Sequence, residues 1–199
     1  IVVYNNIKNI KLTTGYGAGI FNAIGTYIGA REINYNQIGD VNDPNSIIVS
    51  LPNSSNSYTC NGIYFYNPQV GSNIKVKIIG NSIRGISCNS QTTMKMNISG
   101  INLDIKHYYT ETTVDSNTIK GINCLARGAA FGIQCLKDDI SGGSTGHVGT
   151  INNNVISNLY MPYGRSLGIY YDSNNLKGIV AHNKIVNLFS GDTILSGSF

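Results

Sequence analysis

The chain has 199 residues, 41% of them hydrophobic, enough for one domain with a substantial core. Only 12% are charged, about half the usual share. The net charge of +4 comes from Lys and Arg scattered without a basic run, which argues against nucleic acid as a partner, and no apolar stretch approaches the roughly 18 residues of a membrane insertion.

Gly (23) and Asn are abundant and Pro is scarce (4). Short β-branched runs separated by Gly, Asn and Ser describe an all-β chain with many turns. In chain order, two patterns alternate. One is Asn-x-(Ile/Val)-x-x-(Ile/Leu/Val); the other is Gly-Ile heading an alternating run. The chain begins at Ile1 in a strand-like stretch, with the first Asn pattern at Asn5, Ile7 and Ile10, then Gly19-Ile20. Asn36, Ile38 and Val41 follow, then a polar stretch, 42–58, that reads as a large loop before Gly62-Ile63. Asn81, Ile83 and Ile86 come next, with a degenerate copy at Met96, Ile98 and Ile101 and a second large loop at 104–115. The rest is Asn117, Ile119 and Ile122; Gly132-Ile133; Asn154, Ile156 and Leu159; Gly168-Ile169; and Asn183, Ile185 and Leu188.

Two interleaved patterns that keep phase mark a structural repeat. Each copy holds two or three short strands and no helix, so the expected fold is a parallel β-helix across residues 1–199, one domain of about six turns with three short strands per turn. Isoleucine fills the interior, and the inward asparagines at a bend form a ladder of side-chain amides from rung to rung. With strands about 4.8 Å apart, such a rod is roughly 29 Å long.

The stretch "GIYYDSNNLKGIVAHNKIVNL", Gly168 to Leu188, resembles the repeats of the pectate-lyase-like superfamily, which includes polysaccharide lyases, polygalacturonases and bacteriophage tailspikes. The resemblance covers nearly the whole chain. It implies a right-handed, single-stranded coil, and the Asn richness and low charge look most like a tailspike or tail-fibre depolymerase. That implies a segment of a longer homotrimeric protein on a virion tail or another extracellular surface, with a bacterial surface polysaccharide as partner. It implies neither cofactor nor metal. Depolymerisation by hydrolysis is the leading expectation and β-elimination the second; the alternative is a non-catalytic adhesin or tail-fibre shaft.

After each Gly-Ile, alternation puts the Ile inward and the next residue outward. The expected outer column is Phe21, Tyr64, Gln134 and Tyr170, and two positions on, Ala23, Tyr66, Leu136 and Asp172. Tyr64, Tyr66 and Tyr170 on a flat sheet suit the apolar faces of sugar rings; they equally suit packing under a loop or against a subunit. Asp138 and Asp139 leave one Gly-Ile run and Asp172 leaves the next. Adjacent rungs separate side chains by about 5 Å and alternate rungs by about 10 Å, which brackets the carboxylate separations of retaining and inverting glycosidases. One such acid can protonate the glycosidic oxygen while another activates water, although Asp at a strand end is also ordinary turn chemistry.

In the 104–115 stretch, Asp104, His107, Tyr108, Tyr109, Glu111 and Asp115 lie within twelve residues, and Glu111 ranks as a further catalytic candidate. Arg127 and Arg165 precede Gly-Ile runs, Lys137 adjoins the Asp pair, and Arg84 and Lys120 share a repeat position. These cations suit an acidic polymer or the enolate of an elimination. Asp138-Asp139 and Gly146-His147 echo the middle motifs of polygalacturonases, Asp-Asp and Gly-His-Gly, and make His147 a substrate-binding candidate. Val148 replaces the final Gly and both outer motifs are absent, so that family's mechanism does not transfer. The cysteines at 60, 88, 124 and 135 lack Cys-x-x-Cys spacing. Cys88, Cys124 and Met161 share a repeat position, which predicts an apolar column with free thiols.

Overall fold

The structure, a computed structural model, describes residues 1–13, 19–27, 31–40, 42–50, 57–67, 74–89, 95–105, 110–137, 148–171 and 177–191. Every regular element among them is a β-strand, and no helix is long and apolar enough to cross a membrane. The chain runs through Val2–Val3 (β1), Asn6–Ile7 (β2), Ile10–Thr13 (β3) and Gly19–Tyr27 (β4), then Glu32–Asn34 (β5), Gln37–Ile38 (β6), Ile47–Ser50 (β7) and Tyr58–Asn67 (β8). Next are Ile74–Ile79 (β9), Ser82–Asn89 (β10), Lys95–Ile105 (β11), Thr110–Asp115 (β12), Thr118–Cys124 (β13) and Arg127–Lys137 (β14). Val148–Asn152 (β15), Val155–Met161 (β16), Tyr163–Tyr171 (β17), Lys177–Ala181 (β18) and Lys184–Ser190 (β19) complete it.

These strands stack in parallel into three sheets. Sheet A is β1-β5-β9-β12-β15-β18, sheet B is β2-β6-β10-β13-β16-β19 with β3 and β7 alongside, and sheet C is β4-β8-β11-β14-β17. Successive strands visit A, B and C and return to A beside the strand before, so the fold is a parallel β-helix. The two stretches read as large loops hold strands of their own. Ile47–Ser50 pairs with β10, and Thr110–Asp115 pairs with β9 and β15, in each case because alternating apolar residues such as Ile47, Val49 and Val114 reach the interior.

The asparagine of the first motif stands at the corner between sheets A and B. Asn5, Asn36, Asn81, Asn117, Asn154 and Asn183 form the expected ladder. Each Nδ2 donates to the Oδ1 of the next, at 2.8 Å for the first step and 2.9 Å for the others. The backbone N–H of each donates to the same oxygen. The second Nδ2 hydrogen reaches a sheet A carbonyl, as from Asn81 to Ile33 and from Asn117 to Ile78. Asn36, Asn81, Asn117 and Asn154 are buried yet satisfied, the condition for polar groups in a core. The residue before each Asn is left-handed, for example Tyr35 at φ 56° and Gly80 at φ 65°.

A second left-handed position explains the rest of the motif. Gly85, Gly121, Asn158 and Asn187 sit between its two apolar residues with positive φ. Residues three apart on a flat strand face opposite ways. The left-handed residue resets that alternation, so Ile83 and Ile86, Ile119 and Ile122, and Ile156 and Leu159 all point inward with no exposure.

Glycine explains why the two motifs keep phase. A Cβ on Gly62, Gly100, Gly132 or Gly168 in sheet C would lie 2.8, 2.6, 2.5 or 2.6 Å from Cγ2 of Ile83, Ile119, Ile156 or Ile185 in sheet B. The interior has no room there for a second side chain, and the Ile of the Asn motif occupies it. The sheet C strands are long, 9–11 residues, instead of the short ones expected; in β8, β11, β14 and β17 the glycine lets the strand bend without breaking.

Asn117→Ala, which strips donors and acceptors from both neighbouring rungs, is expected to cost about 3 kcal/mol in denaturant unfolding, and Asn5→Ala at the exposed end about 1 kcal/mol or less. Gly168→Ala clashes at its nearest contacts with the Ile185 side chain alone, whereas Gly132→Ala also meets the Gly168 carbonyl oxygen at 2.5 Å. Each is expected to destabilise by about 1–3 kcal/mol, and a double-mutant cycle with Ile185→Ala should recover part of the loss for Gly168→Ala.

Candidate functional site

The outer face of sheet C carries most of the candidate binding residues. The glycine bend places two consecutive inward positions in each strand, such as Gly62 and Ile63, so the outward residues on either side converge. Asn102 Nδ2 donates to Asn61 Oδ1 at 3.2 Å, Ser99 Oγ donates to Gln134 Oε1 at 3.1 Å, and the Phe131 and Tyr170 rings meet at 5.7 Å. The result is a shallow groove running along the coil axis above the glycines. Its floor is closed: Asn61, Ser99, Asn102, Phe131 and Gln134 are all buried.

On one side of the glycines the register lines up Gly25, Tyr64, Asn102, Gln134 and Tyr170, and then Tyr27, Tyr66, Asp104 and Leu136. This corrects the expected columns. Phe21 stands opposite Cys60 and packs against the core, because Ala23-Ile24, not Gly19-Ile20, is the counterpart of Gly62-Ile63. Ala23 is likewise replaced in the second column by Tyr27. Along the first column two amides lie between two tyrosines, and Tyr64 and Tyr170 are three rungs, about 14 Å, apart.

The tyrosines form a cluster at one end of the groove. Tyr64 and Tyr66 stack with centroids 6.3 Å apart, and Tyr27 meets Tyr66 edge-on at 5.3 Å. The Tyr64 hydroxyl donates to Asp104 Oδ2 at 3.1 Å. Burial, together with the Asp104 carboxylate, pushes the Tyr64 phenol well above its ordinary value. Tyr170 is exposed at the other end.

On the far side of the glycines three outer positions are basic. Lys95 pairs with Arg127, and Arg127 with Tyr163; Arg165 lies one strand and two residues further on, beside Ala129. All three cations are exposed. Arg84 and Lys120 pair as expected, but on sheet B.

Glu111 is not brought to this face. It stands on the outside of sheet A, exposed, with its carboxylate 2.9 Å from Lys75. It belongs to β12 by the alternation of Thr112 and Val114, not to a loop. Asp138, Asp139, Asp172 and His147, with His107, Tyr108 and Tyr109, lie outside the described residues. Among the described residues, Asp104 is the carboxylate that meets the tyrosines. It ends a sheet C strand and does not sit in the loop that its neighbours in sequence suggested. Asn102 and Asp104 were missed as column members although a signal was present: Gly100-Ile101 is a Gly-Ile pair, and reading 96–101 as a degenerate Asn motif hid it.

The four cysteines are free and buried inside the coil, with Cys88 beside Cys124. Burial pushes the Cys88 thiol up. Among the described residues no group of three His, Cys, Asp or Glu side chains is placed to hold a metal ion. No protein-family model, no curated protein and no solved structure matches the chain.

The raised Tyr64 pKa has a signed consequence. A phenol held neutral by the fold contributes stability that is complete below the unfolded value of about 10 and is lost as pH rises through the folded value. Absorbance titration of the 13 tyrosines is expected to show late steps from Tyr171, which burial pushes up to about 12, and from Tyr64; Tyr64→Phe removes the later of the two, and its stability should fall less steeply above about pH 10.

Proposed function

We propose that the chain recognises a bacterial surface polysaccharide along the outer face of sheet C, as part of a tailspike-type β-helix displayed on a virion tail or another extracellular surface, trimeric in its parent protein. The observation that carries this reading is the column Tyr64, Asn102, Gln134 and Tyr170 beside Tyr27, Tyr66 and Asp104. Aromatic faces take the apolar faces of sugar rings, the Asp104 carboxylate takes a hydroxyl, and the repeat of the sheet gives both a fixed spacing. A rigid strand surface presents such groups without ordering cost.

Whether the polymer is also cut depends on a second carboxylate. Glu111 and Asp104 stand on different sheets, which favours recognition without cleavage. The sequence of Asp138 and Asp139 after β14, and of Asp172 after β17, supports the alternative of hydrolysis at the end of this face, since those two strands are neighbours.

Binding to capsule and O-antigen preparations separates these readings. Tyr64→Ala and Tyr170→Ala are each expected to weaken binding about tenfold or more, and Glu111→Gln to leave it unchanged. New reducing ends without absorbance near 235 nm would indicate hydrolysis, and absorbance as well would indicate elimination. Binding without either product leaves the chain an adhesin, and affinities untouched by both tyrosine variants would overturn the proposed face.

A further inference from the structure

We infer that the polymer this face takes is an acidic polysaccharide, lying along the coil axis with its anionic groups toward β11, β14 and β17. The inference rests on the reading of sheet C as a glycan site and names the class of glycan.

Two independent features of the groove carry it. The first is the basic flank. Lys95, Arg127 and Arg165 occupy three successive strands, one cation per rung, so their spread along the axis is about 10 Å. Lys95 and Arg127 stand directly opposite each other, an arrangement that repels. The ion pairs of the described residues, Lys8 with Asp40 and Lys75 with Glu111, involve none of the three. Two cations in register, with a third one strand and two residues further on, are relieved by an anion that repeats at a similar interval. Along β17, Arg165 is two residues, about 7 Å, from Leu167 at the groove, within reach of a chain lying there.

The second is an unfinished hydrogen-bond chain in the floor. Asn61 Nδ2 donates to Asn22 Oδ1 at 2.8 Å and Asn102 Nδ2 donates to Asn61 Oδ1. The series stops at Asn102, whose Oδ1 is buried, in a residue only 5% exposed, and has no donor. Leaving a buried acceptor empty is costly. It lies in the column between Tyr64 and Gln134, just beneath the surface, where a sugar hydroxyl beside Tyr64 supplies the donor once the Asn102 amide turns outward. Asp104, with Tyr64, marks the opposite flank as the side an anionic group avoids. Hydroxyl recognition in the floor and charge recognition on one wall together fix both the class and the orientation of the chain.

The test pairs each acidic bacterial surface polysaccharide of a binding panel with its carboxyl-reduced, neutral counterpart and measures Kd for the wild-type chain, for Arg127→Gln with Arg165→Gln, and for Asn102→Ala. Acidic forms are expected to bind at least about tenfold more tightly than their neutral counterparts, with an affinity that falls as salt is raised. The double arginine variant should lose that preference and keep the neutral affinity. Asn102→Ala should weaken both forms equally, with far-UV circular dichroism confirming that the coil is intact. Equal binding of acidic and neutral forms, or a double variant indistinguishable from wild type, overturns the acidic assignment while the glycan face stands. Binding of no polymer by any variant overturns the glycan face itself.

Discussion

The amide ladder from Asn5 to Asn183 is the constraint on which the remaining structure depends. Each asparagine ties the backbone of its own corner to the rung beside it and to the sheet A strand behind it. A side chain that meets three backbone or amide partners at once tolerates neither a shift of register nor a change of corner angle. The left-handed residue before each asparagine follows from this. Tyr4, Tyr35, Ser116, Asn153 and His182 hold a backbone conformation that costs roughly 1 kcal/mol or more for a side-chain-bearing residue. The ladder holds them there, and Tyr4 and Tyr35 stack above it.

With the corner set, the interior is set as well. The first apolar residue of the motif projects across the coil to the glycine of β8, β11, β14 and β17, where the contact leaves no room for a side chain unless the neighbours move; the end strand β4 carries Ala23 at this position. Phase between the two motifs is therefore a packing requirement. Loops of different length are tolerated because they leave the coil at other points and return to the same register, as the residues between β6 and β7 do.

The same glycine shapes the outer surface. By turning two neighbouring positions inward it draws the outward residues on its two sides together. Columns that a flat sheet would keep apart become the sides of one groove, with tyrosines and Asp104 along one side and, on the other, Arg165 with Lys95 and Arg127 two residues further out. The charge and aromatic content of this face thus rests on the interior contact between glycine and isoleucine, although none of the groove residues makes that contact.

Much of the fold was legible from Asn81, Ile83 and Ile86 and their copies, because a ladder needs the same residue at the same corner every time. The free thiols were legible for the same reason, Cys88 and Cys124 being register partners. The columns were less so. Phe21 was misplaced because Ala23 fills the glycine position of the first sheet C strand, and Asn102 was passed over because its Gly-Ile pair lay inside a pattern of another kind. Proximity in sequence also misled: Asp104 and Glu111 are seven residues apart yet sit on different sheets, Asp104 on β11 and Glu111 on β12. By itself the sequence determined the parallel β-helix and its corner residue, which depend on local repeats that any rung must satisfy. The groove, its basic wall and the separation of the two carboxylates were decided only by tertiary structure, because stacking brings together residues that lie 30 or more positions apart and no spacing within one rung records which neighbour each will face.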